Sequence, residues 1–239
     1  MATFVLIPGA SAGPWYWHLL EDELRARGHE SVAVDLPNED DAAGLAEYAD
    51  AVVAAIGAAG GGGGGGGDGG GGAGDVVLVA HSLGGFTAPL VCERVPVALL
   101  VMLQAMVPAP GESAGEWWAN TGYPAARSER DARDGRAPDD ELALFYTDTP
   151  RELVEESQRH GRGQSGTPFA KPWPLTSWPD VPTRFLLARD DPFFPAPFLR
   201  AVVRDRLGIT PDEMPGDHCP MLGHPTDLAT RLIAYHAEL

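Results

Sequence analysis

Ser82 stands in Ala80-His81-Ser82-Leu83-Gly84-Gly85, directly after the apolar run Asp75–Ala80 (Asp-Val-Val-Leu-Val-Ala) and before Leu83–Arg94, a stretch with helical character. A serine at a sharp strand-to-helix turn projects its hydroxyl off the end of the sheet, toward the start of the helix. The flanking residues must be small, because the turn is strained and crowded. Ala80 and Gly84 fill those two positions. On its own, small-x-Ser-x-Gly is a weak pattern. Set between an apolar strand and a helix, it points to a nucleophile. The competing assignment is a helix N-cap, which serine also favours.

A nucleophilic serine needs a base, and the chain offers seven histidines. His218, in Pro215-Gly216-Asp217-His218-Cys219-Pro220, falls between the last strand-like run and the last helix. That is a loop at the carboxyl edge of a sheet, the same edge as Ser82. His81 adjoins Ser82, but the tight turn should direct its side chain elsewhere. His18, His29 and His236 read as surface or packing residues, His160 could line a pocket, and His224 belongs to the start of the last helix.

The base in turn needs a carboxylate to fix its tautomer and stabilise its charged form. Asp190 and Asp191 directly follow the strand Thr183–Ala188. Asp191, with Pro195 four residues on, fits the expected turn better; Asp190 is the alternative. Acyl transfer also needs donors for an oxyanion. The N–H of Leu83, next to the nucleophile, is one; the loop Pro8–Gly13 after the first strand supplies the other, with Ala10 the best candidate.

These residues require a scaffold that delivers three loops to one edge. The chain alternates between strand and helix periods. Thr3–Ile7, Ser31–Val34, Asp75–Ala80, Val97–Leu103, Thr183–Ala188 and Ile209–Met214 read as strands. Trp15–Arg27, Gly44–Ile56, Leu83–Arg94, Ala196–Leu207 and Pro225–Glu238 read as helices. Such alternation implies right-handed crossovers and a mostly parallel sheet flanked by helices, an α/β fold. Residues 1–105 and 180–239 form that core. From 106 to 179 the pattern breaks into mixed Pro, Gly, Trp and charge, with short helices at Asp139–Tyr146 and Pro150–Arg159. This stretch reads as an inserted helical cap whose Trp117, Trp118, Phe145, Tyr146, Trp173 and Trp178 would give the site an aromatic lining. Residues 60–74 hold thirteen glycines. A phosphate loop would lie between strand and helix and usually carries a lysine. This tract precedes its strand and reads as a flexible surface loop.

Composition excludes several classes. Seventeen basic against 34 acidic side chains give a net charge of -17, and Lys171 is the sole lysine. An acidic chain is a poor partner for nucleic acid or an anionic membrane. No apolar run approaches the length of a membrane span. Cys92 and Cys219 have no metal-ligand spacing and read as free thiols. With no charged leader before Thr3–Ile7, the expectation is a cytoplasmic protein, a monomer or homodimer.

Taken together, the sequence resembles the α/β-hydrolase superfamily, and within it the cofactor-free branch of plant methyl esterases and hydroxynitrile lyases. Phe4–Trp17, Gly28–Leu36, Val79–Phe86 and Gly216–Leu228 carry the resemblance. The order Ser, Asp, His is the order of that superfamily. Two departures stand out: Pro8-Gly9 replaces the usual His-Gly, and Cys219 stands where the lyases carry a cyanide-stabilising lysine. The resemblance therefore implies hydrolysis of a small apolar or aryl ester through an acyl-enzyme, without metal or organic cofactor. A carbon–carbon bond-cleaving hydrolase or lyase, or a non-catalytic receptor on the same fold, is the alternative.

Overall fold

Alternating side chains along each strand reach both faces of a single sheet. The computed structural model describes residues 1–60, 76–135 and 141–239. Its strands are β1 (Thr3–Ile7), β2 (Glu30–Ala33), β3 (Val76–His81), β4 (Leu99–Leu103), β5 (Thr183–Ala188) and β6 (Asp212–Met214). They pair in the order β2-β1-β3-β4-β5-β6, every pair parallel. Val5, Ile7, Leu78, Ala80, Leu100 and Met102 point to one face, where they meet α2 (Leu45–Gly60), α3 (Gly84–Cys92) and α9 (Ala196–Leu207). Phe4, Leu6, Val77, Val79, Leu99 and Val101 point to the other, against α1 (His18–Ala26) and α11 (Pro225–Ala237). A sheet covered on both faces needs strands without polar alternation, which is what the central strands have.

The segment between β4 and β5 holds α4 (Ala114–Asn120), α5 (Tyr123–Asp134), α6 (Glu141–Phe145), α7 (Arg151–His160) and α8 (Thr167–Ala170). Ser113 caps α4 in a reciprocal pair with Glu116. One isolated bridge, Ser113 to Pro172, is the extent of strand pairing in the described part of this segment.

Several elements differ in their bounds from the sequence reading. Trp15–Arg27 divides into a 3-10 turn, Pro14–Trp17, and α1. The last strand starts at Asp212 rather than Ile209, because Pro211 has no N–H to give the ladder. β3 runs one residue past Ala80, so His81 is still strand. α2 continues to Gly60; the rest of the glycine tract, Asp75, and residues 139–140 of the expected helix Asp139–Tyr146 lie outside the described residues. No helix among the described residues is long and apolar enough to cross a membrane.

Candidate active site

Sheet order decides where a crevice can open. β1 and β3 are neighbours, yet the chain leaves β1 toward β2 and leaves β3 toward β4. The loops after them part in opposite directions, and the gap lies outside the carboxyl ends of the strands. Ser82 occupies it. Its φ of +51° is a left-handed conformation that non-glycine residues rarely adopt. The turn is also too crowded for neighbouring side chains. A Cβ on Gly84 would lie 3.0 Å from the Pro8 carbonyl oxygen, and one on Gly85 would lie 2.0 Å from that of Met106. On the facing loop, a Cβ on Gly9 would lie 2.8 Å from the Cβ of Ser82.

His218 follows β6 and is buried. Its Nδ1 lies 2.8 Å from Oδ2 of the buried Asp191. A carboxylate only accepts, so Nδ1 carries a proton, and in the neutral imidazole Nε2 keeps its lone pair. The structure brings Asp191 and not Asp190 to the ring. Asp190 is exposed, and its Oδ2 accepts from the Gly216 N–H at 3.4 Å. Asp191 is itself fixed on both oxygens: Oδ1 accepts from the Phe193 N–H at 2.6 Å and Oδ2 from Gln104 Nε2 at 2.5 Å.

Gln104 is a residue that the sequence reading missed. It directly follows β4, has a φ of +45° and is fully buried. Its amide also donates to the Ala188 carbonyl at 3.2 Å. Its partners are 84 and 87 residues away, so no local pattern marks it.

His81 differs from expectation. As the last residue of β3 it shares the face of Val77 and Val79, and its ring packs edge-on to Trp17 at 6.2 Å. Nε2 donates to the His218 carbonyl at 2.8 Å, and the two rings lie 4.7 Å apart. Burial, and then the neighbouring His218, push its pKa down to about 3, so His81 is a neutral strut beneath the base.

Ala10 and Leu83 line the same cavity as Ser82, and each has a backbone N–H to offer. Among the described residues neither is spent on a protein acceptor. Ser11, with a φ of +58°, turns the loop. Its N–H donates to Gln164 Oε1 at 3.1 Å and its carbonyl accepts from the Arg162 N–H at 3.0 Å. The β4–β5 segment therefore pins the loop that carries Ala10.

The cavity measures about 370 Å³. Ser82 and His218 line it together with Trp118, Phe145, Tyr146, Phe169 and Phe193. Trp117, Trp173 and Trp178 do not. Trp117 and Trp173 are buried, donating to the Val107 and Phe86 carbonyls at 3.0 and 3.1 Å, and Trp178 donates to Thr183 Oγ1 at 3.0 Å. None of the lining residues is Asp, Glu, Lys or Arg. Among the described residues no cluster of His, Cys, Asp and Glu could hold a metal ion. Cys219 lines the cavity beside His218, and both cysteines are free thiols.

Comparison with known proteins agrees with this fold. The model of the alpha/beta hydrolase family matches residues 4–231. The rice protein named "Probable esterase PIR7A" (Oryza sativa subsp. indica) is 26% identical over 265 residues, covering 98% of this chain and 97% of its own. Polyneuridine aldehyde esterase of Rauvolfia serpentina is 30% identical over 112 residues, 46% of this chain and 41% of its own. The crystal structure of a methylesterase from Arabidopsis superposes with a TM-score of 0.75 at 20% identity, covering all of both chains (100% and 100%).

Proposed function

This chain belongs to the alpha/beta hydrolase family and is an esterase of its methylesterase branch, and from that premise we propose that it cleaves a small, uncharged carboxylic ester through an acyl-enzyme on Ser82. The observation that carries the proposal is the Asp191–His218 bond, which occupies Nδ1 and, in the neutral imidazole, leaves Nε2 as the acceptor in the cavity that Ser82 also lines.

Ser82 Oγ attacks the ester carbonyl carbon while His218 Nε2 takes its proton. Asp191 stabilises the imidazolium. The N–H groups of Ala10 and Leu83 receive the oxyanion. Collapse of the tetrahedral intermediate breaks the carbon–oxygen bond of the ester, and His218 returns the proton to the leaving alkoxide. Water then attacks the acyl carbon, giving its proton to His218, and the acid departs as Ser82 is reprotonated. Residues 106–179 serve as the cap over this site. Apolar and aromatic lining without ionised side chains suits an uncharged apolar or aryl ester. With Cys219 beside the base and no lysine or arginine in the lining to stabilise a departing cyanide, hydrolysis is favoured over cyanohydrin cleavage.

Ser82→Ala should lower kcat/KM on short p-nitrophenyl esters by about 10⁴-fold or more. A fluorophosphonate probe should label the wild-type chain and not the variant. Activity that survives Ser82→Ala overturns the proposal, and binding of esters without turnover by the wild type would favour the receptor reading.

A further inference from the structure

One end of the cavity is built differently from the rest. Tyr16 comes from the 3-10 turn after β1, Tyr146 from the position just after α6, Ser157 from α7 and Cys219 from the loop after β6. Their hydroxyls and thiol converge. Tyr16 Oη lies 3.4 Å from Tyr146 Oη and 3.4 Å from the Ser157 carbonyl oxygen. Ser157 Oγ lies 2.8 Å from the Val154 carbonyl oxygen and 3.2 Å from Tyr146 Oη. The Cys219 thiol also meets the Tyr146 hydroxyl. Tyr16, Tyr146 and Cys219 all line the cavity.

The distances show which donor is held weakly. Ser157 Oγ donates to the Val154 carbonyl at 2.8 Å and, less closely, to Tyr146 Oη at 3.2 Å. Tyr16 Oη donates toward the Ser157 carbonyl. Tyr16 is left with two contacts at 3.4 Å, well beyond the usual ~2.7–2.8 Å of an O–H···O bond. Its hydroxyl hydrogen is held loosely at the wall of the cavity. Burial raises the pKa of Tyr16, Tyr146 and Cys219, so all three stay neutral. No Asp, Glu, Lys or Arg side chain lines the cavity to pair with a charged ligand.

From this geometry we infer that Tyr16, backed by Tyr146, is a specificity-determining donor for a second, uncharged oxygen acceptor on the ester substrate, away from the ester group being cleaved. The inference rests on the ester-hydrolase reading for its ligand class. It goes beyond that reading in dividing the cavity into an aromatic part, with Trp118, Phe145 and Phe193, and a hydroxyl-bearing part that rewards a carbonyl. A purely hydrocarbon ester would leave the Tyr16 hydrogen without a good acceptor. A carboxylate in place of the carbonyl would be buried unpaired.

Three matched pairs of methyl esters test this: methyl 5-oxohexanoate with methyl hexanoate, methyl 6-oxoheptanoate with methyl heptanoate, and methyl 7-oxooctanoate with methyl octanoate. Each pair differs by one remote ketone oxygen. The measurements are kcat/KM on the wild type and Kd on the Ser82→Ala protein, with and without Tyr16→Phe. In at least one pair the keto ester should be preferred about 5-fold, within the ~2–12-fold that one neutral hydrogen bond supplies. Tyr16→Phe should bring that ratio to within about twofold of unity. Tyr16→Met gives the same reading if Tyr16→Phe does not fold. A wild-type ratio near unity in all three pairs overturns the inference, as does a preference that survives loss of the Tyr16 hydroxyl. If no ester is turned over but the keto preference in Kd is present and depends on Tyr16, the hydrolase reading fails and the donor subsite stands.

Discussion

The loops at the carboxyl edge of the sheet and the segment between β4 and β5 build one cavity by opposite means. Each loop residue sits one to four positions past a strand end, in a place fixed by backbone geometry. Ser82 is held by its positive φ and by Gly84 and Gly85, whose missing side chains let α3 close on β1 and on the chain after β4. Asp191 and His218 follow β5 and β6 in the same way. The β4–β5 segment, with five short helices among its described residues, has no sheet register to place it. It is tied down by long-range hydrogen bonds, such as Gln164 and Arg162 to Ser11. Reactive groups thus depend on local backbone, and the shape of the cavity depends on contacts between distant parts of the chain.

Removing the chemistry while leaving both regions in place is the Ser82→Ala experiment, and its loss of about 10⁴-fold is the largest effect expected. The next largest comes from separating the two regions. Asp217 precedes the base and is fully buried. Its Oδ2 accepts from the N–H groups of Thr147, Asp148 and Thr149 at 2.9, 3.3 and 3.1 Å and from Thr149 Oγ1 at 2.8 Å. Oδ1 accepts from the Cys219 N–H at 2.9 Å. One carboxylate therefore clamps the β4–β5 segment to the His218 loop. Asp217→Asn turns one accepting oxygen into a donor facing donors, and should cost about 2–4 kcal/mol in chemical denaturation. An unchanged denaturation midpoint would mean that the segment is held elsewhere, and the contrast between the regions would weaken.

Within the loop region, Gln104→Met sharpens the comparison. It keeps the volume near Asp191 but removes the donor at 2.5 Å. The carboxylate loses one of its restraints while Ser82 and the cavity wall are untouched. kcat/KM should fall about 10-fold, chiefly in kcat, as expected when a hydrogen bond to a charged group worth ~1.5–3 kcal/mol is lost. A fall confined to KM would show that Gln104 shapes substrate binding instead of holding the acid.

Sequence made the two regions unequally legible for the same physical reason. The Ser82 turn, the order of Ser82, Asp191 and His218, and the parallel sheet can be read because strand and helix periods are local. The choice between Asp190 and Asp191 was open to turn geometry alone, and the structure decides which of them meets the ring: Asp191 points in and Asp190 points out. Trp117 and Trp118 show where such reading stops. They are adjacent on α4, about 100° apart around the helix; Trp118 lines the cavity and Trp117 packs among Phe194, Phe198 and Tyr123. Only the orientation of the helix separates them, and that is set by partners far along the chain. Gln104, Gln164 and Asp217 went unread for the same reason, since the contacts that tie them to the site span 87, 153 and 68 positions.

The smallest effect tests the strut under the base. His81 has its pKa pushed down to about 3, against about 6.5 in an unfolded chain. Between those values the unfolded state binds a proton that the folded state refuses. A depressed histidine therefore contributes nothing above pH 6.5 and costs stability as the pH falls below it. The cost grows by about 0.7 kcal/mol from pH 7 to pH 6, and by about 1.4 kcal/mol per pH unit lower down, until the folded-state pKa is reached. Asp217 works in the other direction, because burial raises its carboxyl pKa and the folded state gains from its protonation as the pH falls. The two can be separated with His81→Asn, which keeps a donor for the His218 carbonyl and cannot titrate. Denaturant unfolding followed from pH 7 to pH 5 should show a slope shallower in the variant than in the wild type by close to one proton at the acid end. Equal slopes would mean that His81 charges readily in the folded chain. The loop region would then yield to acid at the residue next to its nucleophile, and the rigidity that sets it apart from the β4–β5 segment would not extend to the floor of the site.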